Sequence, residues 1–296
     1  MTDTFTEQSV PHSLGSNRPA HSLPALACDS HMHIFDPRFP PSAHWPRTPP
    51  RAEVEMYRLL QRRLGTSRAV VVTPSTYGTD NECTLDALQQ MGESARGVAV
   101  VAHDVADAQL DRLARHRVCG LRVNFVSPQA WGETTPEMLN ILAHRIARLG
   151  WHVQIFVEPD QLVALAPVLK RLPVPLVIDH MARIAPHGAL QNEAYKVLRD
   201  LVAGGNTWVK LSGAYMRSQI GEPSYADVLP LGRALVRAAP GRMVWGSDWP
   251  HTTQPSNTVN DASLIGVLHA WCDLDDSLMD TILVVNPAQL YGFGDC

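Results

Sequence analysis

The segment CDSHMHIFD at residues 28–36 carries two histidines, His31 and His33, with one residue between them. On a β-strand the side chains alternate between two faces, so both imidazoles would lie on one face and Met32 on the other. Imidazole nitrogens bind metal ions, transfer protons and hydrogen-bond to carboxylates. The spacing predicts that the two histidines share a metal ion, a substrate or a carboxylate. The alternative is that the pair is incidental, and the rest of the chain must decide between the two.

Polar and ionisable side chains also stand where other apolar segments end. In chain order they are Ser75, Tyr77, Arg122, Asn124, Glu158, Asp179, His180, Lys210, Ser212, Ser247, Asp248 and His251. Because a buried ionisable group without a partner is costly, we expect these side chains to converge on one pocket. The main candidates are His31, His33, His180 and Asp248, since a third histidine and an aspartate arise at strand ends equivalent to that of the histidine pair.

The elements that must position these residues form a regular alternation. Eight short apolar segments are typical of buried strands: ACDSHMHIF, SRAVVVTPS, RGVAVVA, GLRVNFV, WHVQIFVE, VPLVIDHM, TWVKLSG and RMVWGSDWP. A longer amphipathic segment follows each of them, the last being DASLIGVLHAWC, which indicates a parallel sheet with crossover helices. The pattern fits a single-domain α/β fold, a (β/α)8 TIM barrel, or an open doubly wound sheet. We favour the barrel because its active sites lie at the carboxyl ends of the strands.

Composition excludes several classes of function. With 25 basic and 29 acidic residues the net charge is -4, and no basic stripe suited to nucleic acid is present. No apolar run approaches the roughly 18 residues of a membrane span, and the first 25 residues lack a signal-peptide pattern. The five cysteines are scattered without a C-x-x-C pair, which favours a reducing, cytoplasmic location. We predict a mobile Ser/Pro-rich arm over residues 1–25 and a barrel over residues 26–296.

The motifs as a set resemble those of a known family. They are H-x-H in the first strand segment, VIDHMAR around His180 and VWGSDWPH around Asp248, together with GTDNECTLDA, ARGVAVV, GLRVNF and VNPAQLYGF. In this order and spacing the chain resembles the amidohydrolase superfamily, and within it the branch of the 2-pyrone-4,6-dicarboxylate lactonases. The resemblance covers roughly residues 25–292 and implies the TIM-barrel fold.

The resemblance has consequences for metal binding. Superfamily members usually hold one or two divalent metal ions with the H-x-H pair, a bridging residue, two further histidines and the aspartate. The seventh strand segment, TWVKLSG, offers no histidine, so no binuclear site is expected. The lactonase branch includes a metal-free enzyme, which implies that no cofactor is required. The alternative is one divalent metal ion, with Zn²⁺ favoured, bound by His31, His33, His180 and Asp248.

The resemblance also implies roles in catalysis. Asp248 would act as general base on the attacking water, while the three histidines polarise the lactone carbonyl. Arg122, Arg217 and Ser75 match residues that bind substrate carboxylates. The predicted substrate-binding set is Arg122, Arg217, Ser75, Tyr77, Asn124, Phe156 and His251.

Two departures from the family pattern affect the predicted substrate. FVSPQAW lacks an arginine expected beyond Arg122, and Phe156 replaces an expected tyrosine. We therefore expect a lactone with one carboxylate, or one whose second anionic group is held differently; 2-pyrone-4,6-dicarboxylate is the alternative.

The predicted function is that of a hydrolase that opens a carboxylated lactone in aromatic-acid or sugar-acid catabolism. Candidate substrates resemble 2-pyrone-4,6-dicarboxylate, muconolactone or a sugar-acid lactone. Two alternatives remain on the same fold, a metal-dependent decarboxylase and a lactone isomerase. A third alternative is a non-catalytic protein that binds a small carboxylate. We expect a small-molecule partner, neither nucleic acid nor membrane, and a monomer or homodimer.

Overall fold

Eight parallel strands form one sheet in chain order, as seen in a computed structural model that describes residues 9–129 and 131–294. The strands are β1 (Cys28–Met32), β2 (Arg68–Val72), β3 (Ala95–Ala99), β4 (Val118–Asn124), β5 (His152–Phe156), β6 (Leu176–Ile178), β7 (Thr207–Leu211) and β8 (Met243–Trp245). Each strand pairs with the next in parallel. Most strand residues are buried because the sheet is covered on both faces.

The segment that follows β8 hydrogen-bonds to the end of β1. The backbone N–H of Asp248 donates to the carbonyl oxygen of His31 at 2.8 Å, and the N–H of His33 donates to that of Trp249 at 2.8 Å. These bonds join the segment after β8 to β1 and His33, so the eight strands form a nearly closed barrel and the predicted TIM barrel is confirmed. They also bring the predicted catalytic residues of both strands to one place.

Helices follow the strands and cover the barrel. They are α1 (Val54–Leu64), α2 (Glu82–Met91), α3 (Asp107–Arg115), α4 (Pro136–Ala147), α5 (Pro159–Leu169), α6 (Glu193–Ala203), α7 (Leu229–Ala238), α8 (Asp261–Trp271), α9 (Asp276–Asp280) and α10 (Asn286–Tyr291). The first helix shows why they form: Val54, Tyr57, Leu60 and Leu64 recur at helical spacing and are buried. The sequence pattern predicted α1 to α8 but not α9 and α10, which flank a π-helical turn over Thr281–Val285.

The amino-terminal segment packs against the barrel from residue 10 onward. Val10 is buried, the indole N–H of Trp249 donates to the carbonyl oxygen of Pro11 at 2.8 Å, and Arg63 donates to that of Asn17 at 2.8 Å. Residues 10–17 of the predicted mobile arm are therefore held by the barrel, whereas residues 1–8 lie outside the described residues. No helix in the described ranges is long and apolar enough to cross a membrane.

Candidate active site

A cavity of about 340 Å³ opens where the barrel strands end. Seven of the predicted site residues line it: His33, Ser75, Arg122, Asn124, Phe156, His180 and Asp248. His31 does not line the cavity itself; it is fully buried and contacts Asp248. The structure thus brings together the groups predicted for catalysis and most of those predicted for binding.

Three imidazoles surround one oxygen of the Asp248 carboxylate. The Oδ1 atom lies 3.4 Å from His31 Nε2, 3.5 Å from His33 Nε2 and 3.9 Å from His180 Nε2. The two Nε2 atoms of His31 and His33 are 3.3 Å apart. All four side chains are buried. This arrangement concentrates one negative charge and three proton-transferring rings at the cavity floor.

Backbone geometry aims two of these side chains into the cavity. Asp248 follows β8 with φ 62, and His180 lies in the turn after β6 with φ 50. Left-handed backbone is unfavourable for residues other than glycine and is common at functional sites. These turns direct both side chains toward the H-x-H pair, which lies on one face as the strand periodicity predicted.

Gly246 allows β8 to approach β1 at the level of the histidines. A Cβ atom at residue 246 would lie 2.5 Å from the Cβ and 2.7 Å from the backbone nitrogen of His31. Neither atom of His31 can move away by side-chain rotation, because one is a backbone atom and the other is the Cβ attached to the backbone. Glycine is therefore needed here for a close approach of two strands.

Replacement of Gly246 by alanine is expected to lower the free energy of unfolding by about 1–3 kcal/mol, because the added methyl overpacks the closing strands. Urea unfolding followed by circular dichroism measures the change. The matched control is Gly266→Ala on α8, where an added Cβ meets nothing within 4 Å and alanine favours the helix. An unchanged unfolding free energy for Gly246→Ala would contradict the close approach.

The second ring nitrogen of each histidine is also held. His33 Nδ1 donates to the carbonyl oxygen of Val72 at 2.7 Å, and His180 Nδ1 lies 2.8 Å from Ser212 Oγ. His31 Nδ1 lies 3.1 Å from Lys210 Nζ. Because a carbonyl only accepts, neutral His33 carries its proton on Nδ1 and presents the Nε2 lone pair to the site. Such partners fix the orientation of each ring.

A buried charged layer lies below the histidines. Asp179 Oδ2 accepts from Gln154 Nε2 at 3.0 Å and from Arg122 Nε at 3.4 Å, and its Oδ1 lies 3.8 Å from Lys210 Nζ. Burial raises the pKa of Asp179, but His31 and the two cations lower it by more, so the net shift is well below the ordinary value. Burial lowers the pKa of Lys210 to about 8, against the opposing effect of Asp179. Buried charges here are paired, as their desolvation requires.

Asp248 is ionised at neutral pH. Burial alone would raise its pKa, but His180, His33 and His31 lower it by more, so the net pKa lies well below the ordinary value. The Tyr215 hydroxyl donates to the second carboxylate oxygen at 2.5 Å. The sequence did not predict Tyr215 as a site residue, because no pattern in the segment GAYM shows that its side chain points toward Asp248. With Oδ2 held by Tyr215, Oδ1 is the oxygen that faces the histidines.

Three residues predicted to bind substrate do not line the cavity. Arg217 forms an ion pair with Glu158. The Tyr77 hydroxyl accepts from the backbone N–H of Asp36 at 3.2 Å. His251 lies 3.1 Å from Asp261 Oδ2 and 3.3 Å from the Tyr215 hydroxyl, behind the aspartate. Each side chain contacts a protein partner, and none of the three is among the cavity-lining residues. Their contact with substrate stays a prediction.

The cavity holds two cations that the sequence reasoning did not assign, Arg47 and Arg183. The Arg183 guanidinium lies over the Phe156 ring at 5.2 Å, and that of Arg122 lies over the same ring at 5.1 Å. Arg183 also pairs with Glu158 at 3.2 Å. The only sequence signal for Arg183 was its place in the VIDHMAR motif. The cavity wall is therefore cationic around an aromatic ring.

The histidine and aspartate donors fit one divalent metal ion. Zn²⁺ bonds of about 2.0–2.1 Å in a tetrahedron separate the ligand atoms by roughly 3.4 Å. The distances among His31 Nε2, His33 Nε2 and Asp248 Oδ1 are 3.3, 3.4 and 3.5 Å. These three residues form a possible metal-binding group. His180 Nε2 lies 3.9 Å from the same oxygen but is not part of this group.

Comparisons with known proteins agree with this geometry. A family model described as amidohydrolase matches residues 28–293. A 4-sulfomuconolactone hydrolase of Rhizobium radiobacter is 33% identical over 275 residues, 92% of this chain and 91% of that protein. A 2-pyrone-4,6-dicarboxylate hydrolase of Comamonas testosteroni is 34% identical over 285 residues, 93% of each. An apo crystal structure of an Agrobacterium tumefaciens protein matches with a TM-score of 0.83 and 27% identity, covering 94% of this chain and 100% of that one.

Proposed function

The chain belongs to the amidohydrolase family, and on that premise we propose that it is a hydrolase that opens a carboxylated lactone by adding water to the ring ester. The observation that carries this proposal is the ionised Asp248 among three imidazoles at the floor of a cavity with cationic walls. A carboxylate in this position suits a general base, and the arginines suit an anionic substrate. The lactone hydrolases among its relatives support the same reaction.

In the proposed reaction Asp248 takes a proton from water as the water oxygen bonds to the lactone carbonyl carbon. His31 and His180, whose Nε2 atoms face the same carboxylate oxygen and can carry a proton, stabilise the negative charge that develops on the carbonyl oxygen. Neutral His33 presents a lone pair there and does not donate. The ester C–O bond of the ring then breaks, and the leaving oxygen takes the proton from Asp248. The sum is lactone plus water giving the open-chain acid.

The residues that would hold a metal ion are His31, His33 and Asp248. A bound Zn²⁺ would polarise the carbonyl as a Lewis acid and lower the pKa of water. The proton transfers above nevertheless use groups of the chain itself, so we propose that the ion is not required.

Removal of metal is therefore expected to leave turnover of the hydrolase within about twofold of its starting value, since general-base catalysis resides in Asp248. The measurement is zinc content by elemental analysis, paired with lactone hydrolysis before and after dialysis against a chelator. About one zinc per chain, with activity lost on chelation and restored by Zn²⁺ alone, would replace this proposal with a metal-dependent mechanism.

We propose that Arg122 binds the substrate carboxylate. It lies in the cavity, and its only described polar partner is Asp179, which Nε contacts at 3.4 Å. Planar guanidinium groups bind carboxylates in pairs of hydrogen bonds. Ser75 and Asn124, which hydrogen-bond to each other at 3.0 Å, add neutral polar groups to the same cavity. A second anionic group, where the substrate has one, has Arg183 and Arg47 as candidate partners.

A panel of lactones with product identification by NMR tests the function. The panel includes 2-pyrone-4,6-dicarboxylate, muconolactone, 4-sulfomuconolactone and a sugar-acid lactone, with an uncharged lactone of the same ring size as control. We expect an open-chain acid from at least one anionic lactone. An isomerised lactone or released carbon dioxide would instead indicate the isomerase or the decarboxylase. Binding without any product would indicate the non-catalytic alternative.

A further inference from the structure

A chain of buried side chains runs from the back of Asp248 to the start of helix α8. The Tyr215 hydroxyl, which donates to Asp248 Oδ2 at 2.5 Å, lies 3.3 Å from His251 Nδ1. The other ring nitrogen of His251, Nε2, lies 3.1 Å from Asp261 Oδ2. All four side chains are buried, and of the four only Asp248 lines the cavity. The two residues farthest from the cavity, His251 and Asp261, have no part in the proposed reaction.

The His251 ring supports Tyr215 and Asp248 through packing and through its backbone. The rings of His251 and Tyr215 meet edge to face, with centroids 5.2 Å apart and planes at 88°. The backbone N–H of His251 donates to the carbonyl oxygen of Asp248 at 2.8 Å. Asp248 is thus contacted by His251 through its backbone and by Tyr215 through its carboxylate. A shift of the His251 ring would therefore disturb both contacts.

Asp261 anchors this ring on a helix. It lies in the first turn of α8 and is fully buried. Its Oδ2 also accepts from Ser13 Oγ at 2.5 Å, and Arg63 Nη1 donates to the same Ser13 Oγ at 2.9 Å. Arg63 donates further to Asn260 Oδ1, at 2.7 Å. A buried carboxylate is costly without partners, and the partners here fix Asp261 from the side opposite to His251.

We propose that Asp261 is a positioning residue for Asp248. Through His251 it holds Tyr215, and Tyr215 holds the carboxylate so that Oδ1 faces the cavity. Asp261 itself touches neither substrate nor the reacting atoms. Its loss should therefore misalign the base and lower kcat, whereas KM depends on the cavity wall and should not change. The inference rests on the proposed role of Asp248, so one of its tests is independent of lactone turnover.

The kinetic test measures steady-state rates of Asp261→Ala with the best lactone of the panel. We expect kcat to fall at least about tenfold while KM stays within about twofold of the wild-type value. The matched control is Asp107→Ala, which removes an acidic side chain from the first turn of α3; its kcat should stay within about twofold. An unchanged kcat for Asp261→Ala, or a loss confined to KM, overturns the proposal.

A double-mutant cycle tests whether Asp261 acts through Tyr215. Tyr215→Phe removes only the hydroxyl and should show a similar loss of kcat. Combined with Asp261→Ala, it should lower kcat no more than about twofold beyond the worse single variant, because both changes break one chain. Losses that multiply contradict the proposal. If Asp261→Ala does not fold, Tyr215→Phe decides alone, since an unchanged kcat there shows that the last contact of the chain is dispensable.

Crystal structures of the wild type, Asp261→Ala and Tyr215→Phe give a readout that needs no substrate. In both variants we expect Asp248 Oδ1 to move by more than about 1 Å relative to the three histidines. A carboxylate that keeps its wild-type position in both variants overturns the proposal. If the wild type turns over no lactone, the proposed function fails, and these structures still decide whether Asp261 positions Asp248.

Discussion

Replacement of Asp248 by asparagine is expected to lower kcat for lactone hydrolysis at least about a thousandfold, because an amide cannot take a proton from water. The asparagine is nearly the same size and can still accept the hydrogen bond from Tyr215, so the fold should persist. The wild-type carboxylate is ionised at neutral pH because the three histidines hold its pKa well below the ordinary value. The loss should therefore be full at neutral pH, in steady-state assays with the best substrate of the panel.

The control for this prediction is Asp107→Asn. Asp107 lies on α3 and forms an exposed ion pair with Arg145, outside the cavity. The kcat of Asp107→Asn should stay within about twofold of the wild-type value, since a surface ion pair contributes little to stability. Thermal unfolding of both variants checks that the barrel is intact. A rate near that of the wild type for Asp248→Asn would remove Asp248 from the role of base and with it the proposed mechanism.

Replacement of Arg122 by methionine is expected to lower kcat/KM at least about thirtyfold, mostly through a higher KM. Truncating one partner of a hydrogen-bonded charge pair costs about 2–5 kcal/mol, which corresponds to this range. Methionine keeps much of the side-chain volume and its contact with Phe156 but removes the guanidinium. The measurement is the full steady-state profile for an anionic lactone.

Two comparisons separate recognition of the carboxylate from general damage. Arg122→Lys keeps the charge but not the paired donors, so its kcat/KM should fall between those of the methionine variant and the wild type. An uncharged lactone of the same ring should lose far less than the anionic one in Arg122→Met. Equal losses for both substrates would show that Arg122 acts through Asp179, its ion-pair partner at 3.4 Å, and not on the carboxylate.

The sequence by itself determined the barrel and the cluster of His31, His33, His180 and Asp248. Eight apolar segments alternating with amphipathic ones specify parallel strands and crossover helices by periodicity, which is a local property of the chain. The strand period placed His31 and His33 on one face, and the barrel brought His180 and Asp248 to the same end as the pair. Residues close to a strand end, such as His33, Arg122 and Asn124, could be placed in the cavity because a strand fixes the direction of each side chain.

Only the tertiary structure decided which loop side chains face the cavity and which buried groups contact each other. Arg217 and His251 were predicted to bind substrate, yet they turn to Glu158 and Asp261. Tyr215 and Arg183 were missed for the same reason, since loop side chains point where long-range partners hold them. The contact between Lys210 and His31 joins residues 179 positions apart. No local pattern encodes such a pairing, because it arises only when the last strands close against the first.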